Sequence, residues 1–311
     1  MGIYTWVLEY LHKGDIAMDY RGYTINETDE GIEIENIKDF NLEHTFECGQ
    51  CFRWIKQKQG SYTGVVKGRV INISGDNDRI RILNTTIKDF QDFWFDYFDL
   101  GRDYSEIKKQ LGNDPILKEA VNFGYGIRIL RQDIWETLVS FIISANNRIP
   151  MIMRCVDELS KMYGKKIIFN SKTYYSFPEP SQLVNCTLED ITPCKAGFRC
   201  KYIIETAVKV IHGEIKLDTL KNLSSDEARK QLTRLPGVGN KVADCVLLYS
   251  GTKYDVFPTD VWVKRVMEEL YFKEETSLKR IQELASDKFG ELAGFAQQYL
   301  FYYARENKIG T

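Results

Sequence analysis

Residues Leu232 to Val266 read LTRLPGVGNKVADCVLLYSGTKYDVFPTDVWVKRV. The helical pattern leading into them, SSDEARKQLTRL from Ser224, opens with a capping serine and carries acids in its first turn and bases in its last. It runs out near Leu235, because Pro236-Gly237-Val238-Gly239 cannot continue it. Proline lacks the amide, and two glycines around one apolar residue allow a tight turn with positive φ. A second helix starts near Asn240. The spacing predicts a helix–hairpin–helix, whose turn aims unpaired backbone N–H groups outward at a helix N-terminus. Such groups hold a phosphate without any net positive charge. A P-G-V-G turn is also an ordinary way to join two helices, so the residues after it carry the weight.

Lys241 falls in the first turn of the second helix, with Cys245 at i+4 on the same face. A helix N-terminus disfavours an ammonium group and so favours the neutral, nucleophilic amine. Nineteen residues on, Asp260 stands directly before the apolar-periodic run VWVKRV. It is a natural N-cap, and also a carboxylate able to stabilise a developing cation. Taken singly, Lys241 reads as a solvated lysine and Asp260 as a plain cap.

The bulk composition permits this chemistry without announcing it. The chain has 311 residues, enough for one large domain or two to three small ones. Its 42 Lys and Arg against 44 Asp and Glu leave a net charge of −2, so no whole-protein basic footprint for nucleic acid exists. Contact with DNA must come from a local patch or from backbone amides. Seven cysteines, an odd number, without a secretion signal read as reduced thiols in a cytosolic protein. Cys48 and Cys51 lack a second pair at zinc-site spacing, and Cys186, Cys194 and Cys200 lack a fourth partner. All five are read as structural, with no metal. No apolar run approaches the ~20 residues that span a bilayer. The start, MGIYTWVLEYLHKGDIA, does not have the order of a signal peptide. Residues 1–17 are read as an extension of unclear role.

Between about residues 20 and 85 the pattern is β. GIEIENI (Gly31 to Ile37), YTGVV (Tyr62 to Val66), RVINI (Arg69 to Ile73) and RIRIL (Arg79 to Leu83) are short, and SGDND before the last is a turn signal. Their short connections predict an antiparallel sheet. DFQDFWFDYFDL (Asp89 to Leu100) is an aromatic-rich linker or helix that belongs in the core. From about 104 onward the pattern is helical. There DIWETLVSFIISA (Asp133 to Ala145) predicts a capped helix buried on most sides. Strands first and helices later give an α+β fold.

LPGVGNKVADC followed by VFPTDVW resembles the helix–hairpin–helix, Gly/Pro-rich loop and aspartate signature of base-excision DNA glycosylases. A lysine right after the hairpin marks bifunctional members, and K-V-A-D-C is similar to the 8-oxoguanine DNA glycosylase family. Four more segments match in the family's order, over about residues 25 to 305. FECGQCFRW (Phe46 to Trp54) resembles the segment whose glycine carbonyl, here that of Gly49, accepts the N7–H that 8-oxoguanine has and guanine lacks. SFIISANNRIP (Ser140 to Pro150) implies that Asn146 fills the gap left by a flipped base, with Asn147 as support. CKAGFRCKYI (Cys194 to Ile203) implies Phe198 as a wedge and Arg199 as a reader of the estranged cytosine. GELAGFAQQYLF (Gly290 to Phe301) implies that Gln297 reads the Watson–Crick edge and Phe301 stacks on the base, with Cys245 on its other side. Pro258 joins the base-binding set, and Gly237 and Gly239 the phosphate grip.

The resemblance therefore implies an antiparallel β domain over 18–115 and a helical glycosylase domain over 116–311, of two subdomains with the cleft between them. It implies an enzyme that flips 8-oxoguanine from duplex DNA, attacks C1′ with Lys241, stabilises the cation with Asp260 and nicks the strand by β-elimination. No cofactor is required; a monovalent cation at the hairpin carbonyls is the one ion implied. The expected partner is double-stranded DNA containing 8-oxoguanine, with no membrane, for a monomer in a prokaryotic cytosol at the nucleoid. Two positions depart from the family. Met151 stands where it has a second cytosine-reading arginine, which predicts weaker opposite-base discrimination. Trp262 stands where animal members often have histidine, which puts a phosphate contact in doubt. Competing readings are a glycosylase for another damaged base and a non-catalytic helix–hairpin–helix DNA-binding protein. An iron–sulfur endonuclease III or adenine glycosylase is disfavoured because no cysteine follows Cys245. An alkylbase glycosylase is disfavoured by Lys241.

Overall fold

The computed structural model describes residues 17–75 and 78–310. The extension read before Ala17 and the middle of the SGDND turn lie outside the described residues. Seven strands form one antiparallel sheet: β1 (Ala17–Tyr20), β2 (Tyr23–Thr28), β3 (Gly31–Glu35), β4 (Trp54–Lys56), β5 (Tyr62–Val66), β6 (Arg69–Gly75) and β7 (Arg79–Leu83). Their spatial order is β1-β2-β3-β7-β6-β5-β4. The β3/β7 register explains why alternation sets the faces. Ile32 pairs with Ile82 and Ile34 with Ile80 on the core side, while Glu33 faces Arg81 and Glu35 faces Arg79 on the other. The aromatic run packs under the sheet as helical turns over Ile87–Tyr97, burying Phe90, Trp94 and Phe98 completely.

Ten helices of seven or more residues follow among the described residues: α1 (Tyr104–Leu111), α2 (Pro115–Phe123), α3 (Ile134–Ser144), α4 (Ile149–Tyr163), α5 (Arg199–Ile211), α6 (Ser225–Leu232), α7 (Asn240–Tyr249), α8 (Val261–Met267), α9 (Leu278–Phe289) and α10 (Ala293–Glu306). The α+β order is as the sequence predicts, and α3 is capped by Asp133 and buried nearly all round. One expectation needs correction. The tract after 104 is not wholly helical, since β8 (Lys166–Phe169) and β9 (Lys172–Tyr175) form an antiparallel hairpin. Asn170 and Ser171 turn it with φ of 48° and 59°. Two positive φ values in a two-residue turn match the twist of the flanking strands.

Two hydrophobic cores result, one under the sheet and one among the helices. The segment FECGQCFRW is sewn into both. Phe46, Cys51 and Trp54 enter the first; Cys48 and Phe52 enter the second. Tyr104, Ile107 and Leu111 of α1 pack into the helical core, ahead of the expected boundary at 115.

The next residue of that segment, Arg53, ties the cores together through Tyr175 O and Glu136 at 3.8 Å. Burial costs this pair more than so long a contact returns. Burial pushes Glu136 up to about 7, against the pull of Arg53, and lowers the pKa of Arg53. A carboxyl whose folded pKa is raised stabilises the fold fully below its unfolded pKa and loses that contribution as pH rises through about 7. Thermal melts should therefore show the wild type losing stability relative to Glu136→Gln between pH 5 and 8. A difference in Tm that does not vary with pH would remove Glu136 as the cause.

Candidate active site

The hairpin forms where the sequence places it, with two refinements. α6 ends at Leu232, capped reciprocally by Ser224 and Glu227 at its start, and the chain turns through Thr233–Pro236. Gly237 alone has positive φ, at 76°, whereas Gly239 sits at −88° as the N-cap of α7. The positive-φ expectation thus holds for one glycine; the second is needed only as an open cap. A Cβ on Gly237 would also lie 2.4 Å from the Tyr202 ring of α5, so the hairpin is seated against the helix that begins with Arg199 and follows Phe198. No side chain caps α7, and Gly237, Gly239 and Asn240 are exposed. The first-turn amides of α7 therefore face outward, as an anion site requires.

Lys241, in the first turn of α7, is half-buried 5.5 Å from the centre of the Phe141 ring, and shares the cavity wall with Cys245 one turn on. Asp260 caps α8, its Oδ1 accepting Val263 N–H at 2.8 Å. The loop before it is fastened from α9: Gln282 Nε2 donates to Phe257 O at 2.8 Å and to Thr259 Oγ1 at 2.9 Å. Both residues open onto one cavity of about 140 Å3. The same cavity is lined by Gly49, Asn147, Cys245, Pro258, Gln297 and Phe301. Segments more than 200 residues apart in sequence thus meet around one space. Gln297 is 3 % exposed, and its Oε1 has no partner among the described residues. A buried acceptor left open costs free energy unless a ligand completes it. Burial pushes the Cys245 thiol up to about 11, although Lys241 beside it pulls the other way. A groove of about 620 Å3, from Asn146 and Arg148 to Val261 and Lys264, meets the cavity at Asn147, Lys241 and Asp260.

Two family models match the chain: the N-terminal domain of 8-oxoguanine DNA glycosylase over residues 33–138, and the HhH-GPD superfamily of base-excision DNA repair proteins over 139–291. The fold and sequence are similar to MBOgg1, solved with a low-affinity DNA ligand, at 54% identity and a TM-score of 0.90 over 92% of this chain and 99% of that one. The chain belongs to the 8-oxoguanine DNA glycosylase family. The 8-oxoguanine glycosylase/lyase of Clostridium acetobutylicum, solved with double-stranded DNA containing cytosine opposite 8-oxoguanine, is 47% identical with a TM-score of 0.89, over 92% of this chain and 98% of that one. A probable N-glycosylase/DNA lyase of Methanothermobacter thermautotrophicus is 28% identical, over 88% of this chain and 96% of its own length.

Within this glycosylase fold, the remaining candidates sit at the rim. Asn146, exposed and at φ 51°, and Phe198, 65% exposed, project from neighbouring loops. Arg199 differs from the sequence expectation of an outward reader. It is 8% exposed, and its guanidinium donates to Ala145 O, Asn146 O and Ala196 O. It closes the carbonyl end of α3 and holds the Asn146 backbone; reaching a cytosine would require giving up those bonds. Asn147 is turned inward on Ile143 O at 3.2 Å, consistent with support. Met151, 40% exposed, lies in the first turn of α4. Trp262 stands edge-on to Phe301, with ring centres 5.1 Å apart, and so buttresses that ring.

Sequence reasoning missed Phe52, Phe141, Tyr249 and Gln282. Phe141 stacks on Tyr249 at 5.3 Å and forms the cavity wall beside Lys241. No helix among the described residues is long and apolar enough to cross a membrane. No three His, Cys, Asp or Glu side chains gather among them as a metal site would need.

Proposed function

We propose that this protein is an N-glycosylase and DNA lyase that excises 8-oxoguanine from double-stranded DNA, with Lys241 as nucleophile. The observation that carries the reading is the single cavity that joins Lys241 and Asp260 to Gly49, Gln297, Phe301 and Cys245. Hairpin amides grip a phosphate, the base flips into the cavity, and Asn146 and Phe198 fill the space it leaves. The Lys241 amine attacks C1′, the C1′–N9 bond breaks, and the base departs with the proton that the amine gives up. Asp260 stabilises the cation-like state between them. The sugar opens to an iminium, loses a C2′ proton and expels the 3′ phosphate. With its pKa near 11, the Cys245 thiol stays protonated at neutral pH and does not compete as nucleophile. The cycle uses no metal or redox cofactor. A monovalent cation at the hairpin carbonyls would only strengthen the phosphate grip.

Met151 adds a finer reading, relaxed choice of the opposite base. A thioether offers cytosine no hydrogen bond, and each lost base contact costs about 1–3 kcal/mol. Duplexes carrying one 8-oxoguanine opposite C, A, G or T provide the test. Cleavage opposite all four, narrowed toward C by Met151→Arg, supports both readings. Strict preference for C in the wild type would refute the finer one. Four intact duplexes would refute the enzyme's assignment.

A further inference from the structure

The four-residue segment Glu47–Gln50 reaches the cavity at Gly49, and its other three carbonyls are taken by side chains from elsewhere. Arg305 Nη2 donates to Glu47 O at 2.6 Å, Gln298 Nε2 to Cys48 O at 3.1 Å, and Gln132 Nε2 to Gln50 O at 2.8 Å. Gly49 is the exception. It sits at φ 88°, lines the cavity, and no donor among the described residues takes its carbonyl. A Cβ there would lie 3.1 Å from the Phe301 ring, so segment and ring are in close register.

The donors on Glu47 and Cys48 share one helix with the base readers. On α10, Gln298, Phe301 and Arg305 recur at i, i+3 and i+7, one face of a helix. Gln297 and Phe301, at i and i+4, form the adjoining face toward the cavity. One rigid element thus carries the amide aimed at the base and the two clamps on the backbone opposite. Gln298 is fully buried, and its Oε1 has no partner among the described residues. A leucine would fill that space without an unpaired acceptor, so packing alone does not explain an amide there.

We infer that Gln298 and Arg305 are specificity-determining positioning residues, which fix the Gly49 carbonyl by holding the carbonyls of Cys48 and Glu47. The inference rests on the reading of Gly49 as acceptor for the lesion's N7–H. Guanine differs from 8-oxoguanine there by a lone pair in place of that donor. Discrimination therefore depends on an acceptor that cannot swing away, because a mobile carbonyl loses the attraction to one base and the repulsion of the other.

An abasic site separates positioning from folding, because it has no base for Gly49 to read. Gln298→Leu and Arg305→Leu should each lower single-turnover excision of 8-oxoguanine by about 10-fold, the value of one hydrogen bond. Cleavage of abasic-site DNA should stay within about 2-fold of wild type. In a Lys241→Gln background, the same changes should narrow the binding preference for 8-oxoguanine over guanine. Arg305→Lys, which can still donate to Glu47 O, should restore most of the selectivity. If excision and abasic-site cleavage fall together, or the binding preference stays intact, the clamp is merely structural and the inference is overturned. A wild type that cleaves abasic sites but leaves 8-oxoguanine in place would instead overturn the proposed function.

Discussion

Lys241→Gln should abolish the borohydride-trapped complex and abasic-site cleavage, and slow excision of 8-oxoguanine by about 1000-fold or more. The substitution isolates the amine. Glutamine nearly matches lysine in reach, keeps the chain helical in the first turn of α7, and can still lie against Phe141. Duplex affinity should be retained, because the proposed phosphate grip uses hairpin amides that the change leaves alone. The Cys245 thiol in the same cavity does not replace the nucleophile, because burial raises that thiol to about 11 and keeps it protonated at neutral pH. The measurement is a single-turnover time course with borohydride added in parallel. A trapped complex that persists in Lys241→Gln would move the nucleophile elsewhere.

What could be read from the sequence and what could not divide along a physical line. Local signals gave the hairpin, the caps at Asp133, Ser224 and Asp260, and the four quoted strands, because each rests on turn chemistry or short-range periodicity. The β8–β9 hairpin escaped because its Asn-Ser turn lacks the glycine that usually announces two positive φ values. The site residues were found through resemblance, and the folded chain brings Lys241, Asp260, Gly49, Gln297 and Phe301 to one cavity. What remained hidden were polar side chains reaching across the fold to backbone carbonyls: Gln282 on Phe257, Gln298 on Cys48, Arg199 on Ala145. Such bonds leave no period in the sequence, and glutamine or arginine on a helix otherwise reads as solvated surface. Arg199 shows the consequence. The resemblance implies a cytosine reader there, and in the folded chain the guanidinium also satisfies the open carbonyls at the end of α3, which the sequence does not announce.

Asp260→Asn should reduce 8-oxoguanine excision by about 100- to 1000-fold while sparing most of the abasic-site cleavage. The residue does two jobs that must be separated. Its Oδ1 caps α8 through Val263 N–H at 2.8 Å, and its carboxylate borders the cavity with Lys241. Asparagine caps a helix as well as aspartate does, so this change removes the charge and keeps the cap. Asp260→Ala removes both, and should cost about 1 kcal/mol more in stability without much further loss of excision. The split between substrates follows from the chemistry. Breaking the C1′–N9 bond develops positive charge on the sugar, which a nearby carboxylate stabilises. An abasic site presents an aldehyde, and Lys241 can form its imine there without passing through that cation. Excision and abasic-site cleavage measured side by side on Asp260→Asn and Asp260→Ala, with melting curves, assign each loss to charge or to cap. Wild-type excision by Asp260→Asn would reduce Asp260 to a cap. An equal fall in both reactions would place its action at the amine rather than at the cation.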